Sequence, residues 1–358
     1  MRKWNFSPGP AVISDDVLLE AQSEFLEFNS SGMSIMEMSH RSDLYLSIAL
    51  EAKKDLIDIL NIPENYEVLF LQGGATHQFS MIPMNFSKLN GTANYITTGT
   101  WSKRAFEQGS KIAKIEQIFT SEDNNFTYAP NFKDLKISED ASYIHYCPNE
   151  TIQGVSFDHI PLLDKPLIAD MSSSILSEPV DISKFSLIYA SAQKNIGPSG
   201  LTIIIIEKSF MNQGNKDLTN LLTYFEHSKQ NSMLNTPPTF SWYMAGKVFK
   251  WIKKLGGLNY FKELNNLKAS KLYQFIDDSE FYINPVEINN RSIMNVPFVL
   301  KDKKLESAFL KESHEAGLLN LRGHFLVGGM RASIYNAMPL EGVEDLVKFM
   351  NDFKLKYS

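Results

Sequence analysis

Four short stretches of this chain carry residue types whose chemistry goes beyond packing. The first is Gln72-Gly73-Gly74-Ala75-Thr76. Its glycines let the backbone approach an anion closely, and free N–H groups at a helix start can hold a phosphate. The Thr76 hydroxyl adds a donor. A tight turn without chemical consequence is the other reading of the same residues. The second stretch is Gly99-Thr100-Trp101, whose indole could stack on a planar ring or serve as a core aromatic. The third is Asp170, which ends the apolar run Pro166-Leu-Ile-Ala. A carboxylate at the end of a buried strand must be paired or solvated: as a helix cap, a metal ligand, or the partner of a heterocyclic nitrogen. The fourth is Lys194, in Ser191-Ala-Gln-Lys-Asn-Ile-Gly-Pro198 between two apolar runs. Desolvation lowers an ammonium pKa and makes the amine a nucleophile able to form a Schiff base. A solvated loop lysine is the alternative.

Together the four match the needs of pyridoxal phosphate. Its phosphate needs N–H donors, its ring a stacking partner, its pyridine nitrogen an anion and its aldehyde a lysine. A dinucleotide site would want a G-x-G-x-x-G turn, which the sequence lacks. Two arginines extend the set, because guanidinium binds carboxylates in bidentate fashion. Arg41 lies in Met38-Ser-His-Arg41, and Arg331 in Gly328-Gly-Met-Arg-Ala-Ser333.

These residues must be positioned by regular elements. Strands are expected at Tyr66–Leu71, Ala93–Thr98, Lys114–Thr120, Ala141–Tyr146, Pro166–Ala169, Ser186–Ala190 and Leu201–Glu207, with helices over 76–85 and 102–110. The alternation predicts an α/β fold with a mostly parallel central sheet covered on both faces. The candidate residues then fall at strand ends, where open α/β sheets bind ligands. Helices are expected over 238–255 and 258–277, broken at Gly256-Gly257. The C-terminal texture differs: a strand over 291–300, a helix over 304–318, a strand pair over 323–335 turning at Gly328-Gly329, and a helix over 341–353. We read residues 16–258 as a large domain and 259–358 as a smaller α+β domain, with segment 1–15 packing on the latter.

Composition bounds the function. The 358 residues carry 35 Lys+Arg against 41 Asp+Glu, a net charge of -6, which argues against a general nucleic-acid binder. One cysteine excludes a disulfide framework or a multi-cysteine metal site and fits a reducing, cytoplasmic compartment. No metal site is expected. The start of the chain shows no apolar run of signal-peptide length, and Leu201–Ile206 is far too short to span a membrane. Only Arg2, Arg41, Arg104, Arg291, Arg322 and Arg331 are arginines.

At this level of detail the chain resembles the phosphoserine aminotransferases, fold-type-I, class-V pyridoxal-phosphate enzymes. The resemblance runs from Asn5 to Phe353. It rests on Asn5-Phe-Ser-Pro-Gly-Pro10, Ile35-Met-Glu-Met-Ser-His-Arg41, His145-Tyr-Cys-Pro-Asn-Glu-Thr151, Gln193-Lys-Asn-Ile-Gly-Pro198, Asn235-Thr-Pro-Pro-Thr-Phe240 and Gly328-Gly-Met-Arg-Ala-Ser-Ile-Tyr-Asn-Ala337. It implies that Lys194 carries the Schiff base, Asp170 pairs with the pyridine nitrogen and Trp101 stacks on the ring. Ala75, Thr76 and Gln193 would serve the cofactor phosphate, and Thr151 the 3-hydroxyl region. A homodimer is implied, with Asn235 and Thr236 reaching the neighbouring subunit's cofactor. Arg331 would clamp the substrate α-carboxylate, while His40, Arg41 and His324 surround the substrate phosphate. The implied reaction is ping-pong transfer from glutamate to 3-phosphooxypyruvate, giving O-phosphoserine for serine biosynthesis. The phosphorylated four-carbon oxo acid of pyridoxine biosynthesis is a second implied substrate.

Two departures stand out. Thr76 replaces an arginine carried by many members. Phe325 stands in Gly323-His324-Phe325, where members typically read Gly-His-Arg. A cation expected near the substrate phosphate is therefore an aromatic, and Arg322 lies on the opposite face if the segment is a strand. Another fold-type-I aminotransferase with shifted substrate preference is the alternative. His145 reads as structural, and Cys147 lacks the context of a catalytic thiol.

Overall fold

The computed structural model describes residues 2–87 and 91–357; the outer bounds Met1 and Ser358 of the two C- and N-terminal units expected above lie outside them. At its centre lies a seven-stranded sheet. The spatial order is Tyr66–Gln72, Leu201–Glu207, Leu187–Ser191, Leu167–Asp170, Ala141–Tyr146, Thr92–Thr97 and Ile115–Thr120. From Leu187–Ser191 to Ile115–Thr120 every pairing is parallel. Leu201–Glu207 is antiparallel to both its neighbours. The reason is chain length. A parallel crossover needs about a dozen residues or more, and only the short loop 192–200 separates Ser191 from Leu201. That loop carries Lys194.

The central strands are buried at almost every position because both faces are covered. On one face pack Tyr45, Ala49 and Leu56 of helix Asp43–Leu60 and Trp242, Val248 and Phe249 of helix Thr239–Lys254. Phe79, Ile82 and Phe86 of helix Ala75–Phe86 and Ala105 of helix Thr100–Gly109 cover the other. Helices Asp15–Ser23 and Asp43–Leu60 precede the first strand of the alternation and are not among the expected elements. Ser42 starts the second by accepting the Tyr45 N–H at 3.3 Å.

The C-terminal part has its own antiparallel sheet, in the order Met330–Ser333, Asn295–Leu300, Tyr282–Ile283. Leu272, Phe298, Phe309 and Phe353 fill its core together with Phe6 from the N-terminus. Trp4–Asn5 pairs in parallel with Leu318–Leu319. Lys268, fully buried on helix Gly257–Asp277, donates to the carbonyls of Ile334, Tyr335 and Met338 at 2.8–2.9 Å. The expected strand over 291–300 begins only at Asn295, since Arg291 turns out to a bidentate pair with Asp277 at 2.6 and 2.9 Å.

The strand pair expected over 323–335 is corrected. Only Met330–Ser333 is a strand; it pairs with Asn295–Leu300, and the expected hairpin partner is reduced to a single bridge from Arg322 to Met330. Residues 324–328 form a turn in which the His324 carbonyl accepts the Val327 and Gly328 N–H groups at 2.9 and 2.8 Å. Gly328 and Gly329 have φ of 75° and 61°, a left-handed backbone that no ladder continues.

Candidate active site

The strand-end residues converge on a cavity of about 110 Å³ lined by Ala75, Thr76, Trp101, Thr151, Asp170, Gln193 and Lys194. Each wall has a local cause. Helix Ala75–Phe86 starts at the cavity, and the turn before it requires glycine. Gly73 has φ of 101°, and a Cβ there would lie 2.1 Å from His77 Nδ1. The first N–H groups of that helix therefore face the cavity with the positive end of its dipole.

Trp101 sits in the first turn of helix Thr100–Gly109, and that turn is held by a buried carboxylate. Glu150 accepts the Trp101 N–H at 3.0 Å through Oε2. Its Oε1 accepts the Ser102 N–H at 2.8 Å and the Ser102 hydroxyl at 2.5 Å. Gln153 accepts the Thr100 N–H at 3.0 Å and donates to its hydroxyl at 2.7 Å. Gly99 makes room, because a Cβ there would lie 2.4 Å from the Glu150 carboxyl carbon. Burial pushes the Glu150 carboxyl up while the three donors pull it back. Sequence reasoning missed this role, although Glu150 lies inside the Asn149-Glu-Thr151 segment that carries the resemblance.

Asp170 and Lys194 face each other across the cavity, both buried. Asp170 Oδ1 accepts the Ser172 N–H at 2.9 Å, and its carboxylate also bonds the Tyr189 hydroxyl. Tyr189 Oη lies 2.8 Å from His145 Nε2. Burial raises Asp170, and the Lys194 charge opposes that rise. His145 is pushed down to about 3 by burial, so its imidazole is neutral and shares one hydrogen bond with the Tyr189 hydroxyl. Lys194 lies in the tight loop closed by Gly197 N–H to the Ala192 carbonyl at 2.8 Å. Burial lowers its ammonium pKa, Asp170 raising it in part. Its Nζ donates to the Thr151 hydroxyl at 2.5 Å and lies 6.0 Å from the Trp101 ring centre.

Arg331 enters from strand Met330–Ser333. Its Nη1 donates to the Thr151 carbonyl at 3.3 Å, and its buried Nε has no partner among the described residues. Thr151 thus holds the amine on its hydroxyl and the guanidinium on its carbonyl. Cys147 also lines the cavity; burial pushes its thiol up, away from the thiolate. His324 is half-buried at the start of the turn 324–328, while Phe325 at its tip is 81% exposed and Arg322 is exposed. Since 323–329 is a turn, the strand-parity argument about Arg322 and Phe325 does not apply. His40, Arg41, Asn235 and Thr236 are not among the residues lining the cavity. The His40 Nε2 is buried without a partner among the described residues. Among the described residues no group of three or more His, Cys, Asp or Glu side chains could hold a metal. None of their helices is long and apolar enough to cross a membrane.

The profile of the class-V aminotransferases matches residues 3–346. A phosphoserine aminotransferase of Hahella chejuensis is 52% identical over 353 residues, 98% of either chain. The chain belongs to the phosphoserine aminotransferase family, within class V. The same holds in three dimensions. The solved phosphoserine aminotransferase of Bacillus circulans subsp. alkalophilus superposes with a TM-score of 0.98 at 44% identity, covering 100% of this chain and 99% of that one. The pyridoxal-phosphate-bound phosphoserine aminotransferase of Trichomonas vaginalis does so at 0.94 and 40% identity, covering 98% of this chain and 100% of that one.

Pyridoxal phosphate is accordingly the cofactor, and the cavity fits it. A buried amine of lowered pKa faces a buried carboxylate, a helix N-terminus opens on one wall, and the indole Nε1 of Trp101 is buried with no partner among the described residues. That is the donor set an aldehyde, a pyridine nitrogen, a phosphate and a flat ring require.

Proposed function

We propose that this chain transfers the amino group of glutamate to 3-phosphooxypyruvate, yielding O-phosphoserine and 2-oxoglutarate in two half-reactions of serine biosynthesis. One observation carries the reading. Thr151 brings the Lys194 amine and the Arg331 guanidinium to opposite ends of one residue, so a group that binds α-carboxylates lies beside the reactive nitrogen. Identity of about half over nearly the whole length supports the same substrate class.

Pyridoxal phosphate supplies the aldehyde that takes up the amino group and the ring that accepts the electron pair left on the α-carbon. The protein does the rest. Lys194 would hold the cofactor through its amine, and as a base at that position it would be the group placed to take the proton from the substrate α-carbon. Its lowered pKa suits a base. Asp170 keeps the pyridine nitrogen protonated, and the Tyr189–His145 pair fixes the carboxylate. Trp101 covers one ring face, Thr151 serves the 3-hydroxyl side, and Ala75, Thr76 and Gln193 hold the phosphate. Arg331 orients the α-carboxylate, fixing which α-bond is presented.

His40, Arg41 and His324 take the substrate's distal anion in this reading. Asn235 and Thr236 enter the site of a second copy, which makes the working unit a homodimer. The protein acts in the cytoplasm. Residues 16–258 and 259–358 form its two domains, segment 1–15 lying on the smaller one, and the phosphorylated four-carbon oxo acid of pyridoxine synthesis is a second acceptor. The test is a coupled assay of the holoenzyme with glutamate and either oxo acid. Turnover of 3-phosphooxypyruvate well above that of pyruvate or oxaloacetate supports the assignment. Preference for an unphosphorylated oxo acid moves the protein to a transaminase of different substrate class.

A further inference from the structure

The resemblance places a cation where this chain has Phe325, so on the proposed function the phosphorylated substrate would lack one positive partner. The six arginines can be sorted by what occupies them. Arg2 pairs with Asp15, and Arg291 pairs with Asp277 while its guanidinium lies 4.9 Å from the Tyr273 ring centre. Arg41, Arg322 and Arg104 are all exposed and outside the lining of the 110 Å³ cavity, but of the three only Arg104 lies against the ring of Trp101, which does line it. Arg331 is in the site. Arg104 remains.

Arg104 is one helical turn beyond Trp101, and residues three apart share a helix face. Its guanidinium carbon lies 5.1 Å from the Trp101 ring centre, and Lys194 Nζ lies 6.0 Å from the same centre. The two cations are therefore no more than about 11 Å apart across one indole. Arg104 makes no ion pair or hydrogen bond among the described residues. Its neighbour Lys103, by contrast, is paired with Glu122. Arg104 lines an open cavity of about 470 Å³ together with Thr100 and Gln153 from the Trp101 support, Leu326 and Val327 from the turn that carries His324, and the charged Lys103, Glu107 and Glu122, of which Lys103 and Glu122 are paired with each other. The charges of Arg104 and Arg331 both reach His324, where they add to burial in pushing its imidazole down. Arg104 and Arg331 thus lie close enough to His324 for their charges to interact with it, and Arg104 borders the turn that carries His324.

We propose that Arg104 is the specificity residue that binds the substrate's phosphate in place of the cation absent at Phe325. A phosphate dianion seated there meets a guanidinium whose aliphatic stem and planar head are braced on the indole. The γ-carboxylate of glutamate, with one charge less, gains less from the same contact. The inference rests on the phosphoserine aminotransferase reading of the cavity.

The experiment uses the holoenzyme, its Arg104→Ala and Arg104→Lys variants, and equilibrium titration of cofactor absorbance with O-phospho-L-serine and with L-glutamate. Arg104→Ala is expected to raise the Kd for O-phosphoserine about tenfold or more, the loss of one charge-assisted contact. The Kd for glutamate should rise several-fold less, and Arg104→Lys should restore most of the phosphoserine affinity. The ionic-strength dependence of phosphoserine binding should flatten in Arg104→Ala. Equal changes in both constants would mean that Arg104 only supports the Trp101 ring, and no change in either would remove it from the site; each outcome overturns the proposal. If the wild-type holoenzyme neither binds nor transaminates O-phosphoserine, the functional reading itself has failed, and the two failures are distinguishable.

Discussion

Replacing Glu150 by Gln tests whether the site is built from behind. The side chain keeps its shape but loses its charge and one acceptor. The amide oxygen is best spent on Ser102, which offers two donors to Oε1. The amide NH2 then faces the Trp101 N–H, donor against donor, where Oε2 accepted at 3.0 Å. One hydrogen bond to a charged acceptor is lost, about 1.5–3 kcal/mol, and the two bonds to Ser102 drop from charged to neutral strength. The favourable interaction of a carboxylate with a helix N-terminus goes too, a further ~0.3–1 kcal/mol. Together these point to a loss of roughly 3 kcal/mol, seen as a fall of several degrees in Tm. The functional consequence is separate. The Trp101 main chain loses its anchor, so, on the role proposed for it, the ring would cover the cofactor less well. An aromatic stack is worth about 0.5–1.5 kcal/mol beyond area, hence a cofactor Kd raised up to about tenfold. Thermal melts of apoenzyme and holoenzyme, with fluorescence quenching of Trp101 by added pyridoxal phosphate, read both effects. A variant with wild-type Tm and wild-type cofactor affinity would refute the reasoning, because it would mean that Glu150 carries no part of the helix start.

Three further outcomes are expected. Lys194→Ala should abolish amino-group exchange while leaving the fold's melting behaviour intact; exchange at the wild-type rate would remove Lys194 from the chemistry. Mixing Lys194→Ala with Asn235→Ala homodimers, under conditions that exchange subunits, should restore activity, since one site of the mixed dimer then has both residues. No gain on mixing would place Asn235 in its own subunit's site. Lys268→Met should destabilise the protein by about 3 kcal/mol or more through three stranded carbonyls. Burial pushes Lys268 down to about 7, below its unfolded value, so its charging penalty is complete below pH 7 and is relieved as pH rises toward that unfolded value. The stability gap between wild type and variant should therefore widen from pH 7 to pH 9, by at most about 1.4 kcal/mol per pH unit. A gap that is flat or shrinks with pH would contradict this.

Much of the site was legible in the chain itself. Asp170, Lys194, Trp101 and the Gly73-Gly74 turn each end or follow a strong apolar run, and a strand's end is fixed by where its apolar residues stop. In an open α/β sheet such ends point to one edge, so their convergence on a single cavity followed from local pattern plus topology. The elements that failed to show are those set by distant contacts. The antiparallel Leu201–Glu207 strand reads like its parallel neighbours, since both are apolar throughout; only the shortness of the loop that carries Lys194 decides its direction.

The residues behind the site were hidden for the same reason. Glu150, Gln153, Tyr189 and His145 act through partners about 44 to 53 positions away or across adjacent strands, and nothing in their immediate neighbours announces it. Phe325 shows the opposite limit. Its identity is plain in the sequence, but the turn at Gly328-Gly329 sends its ring to solvent, while Arg104, from a helix more than 200 positions earlier, lies beside Trp101 with no ion pair among the described residues. The chain by itself determined the fold class, the cofactor and several of the residues that line the cavity, because these depend on residue type and strand order. Which charges face the substrate, and what holds them there, was decided only by tertiary packing, because a charge acts over a few ångströms of space regardless of the length of chain between.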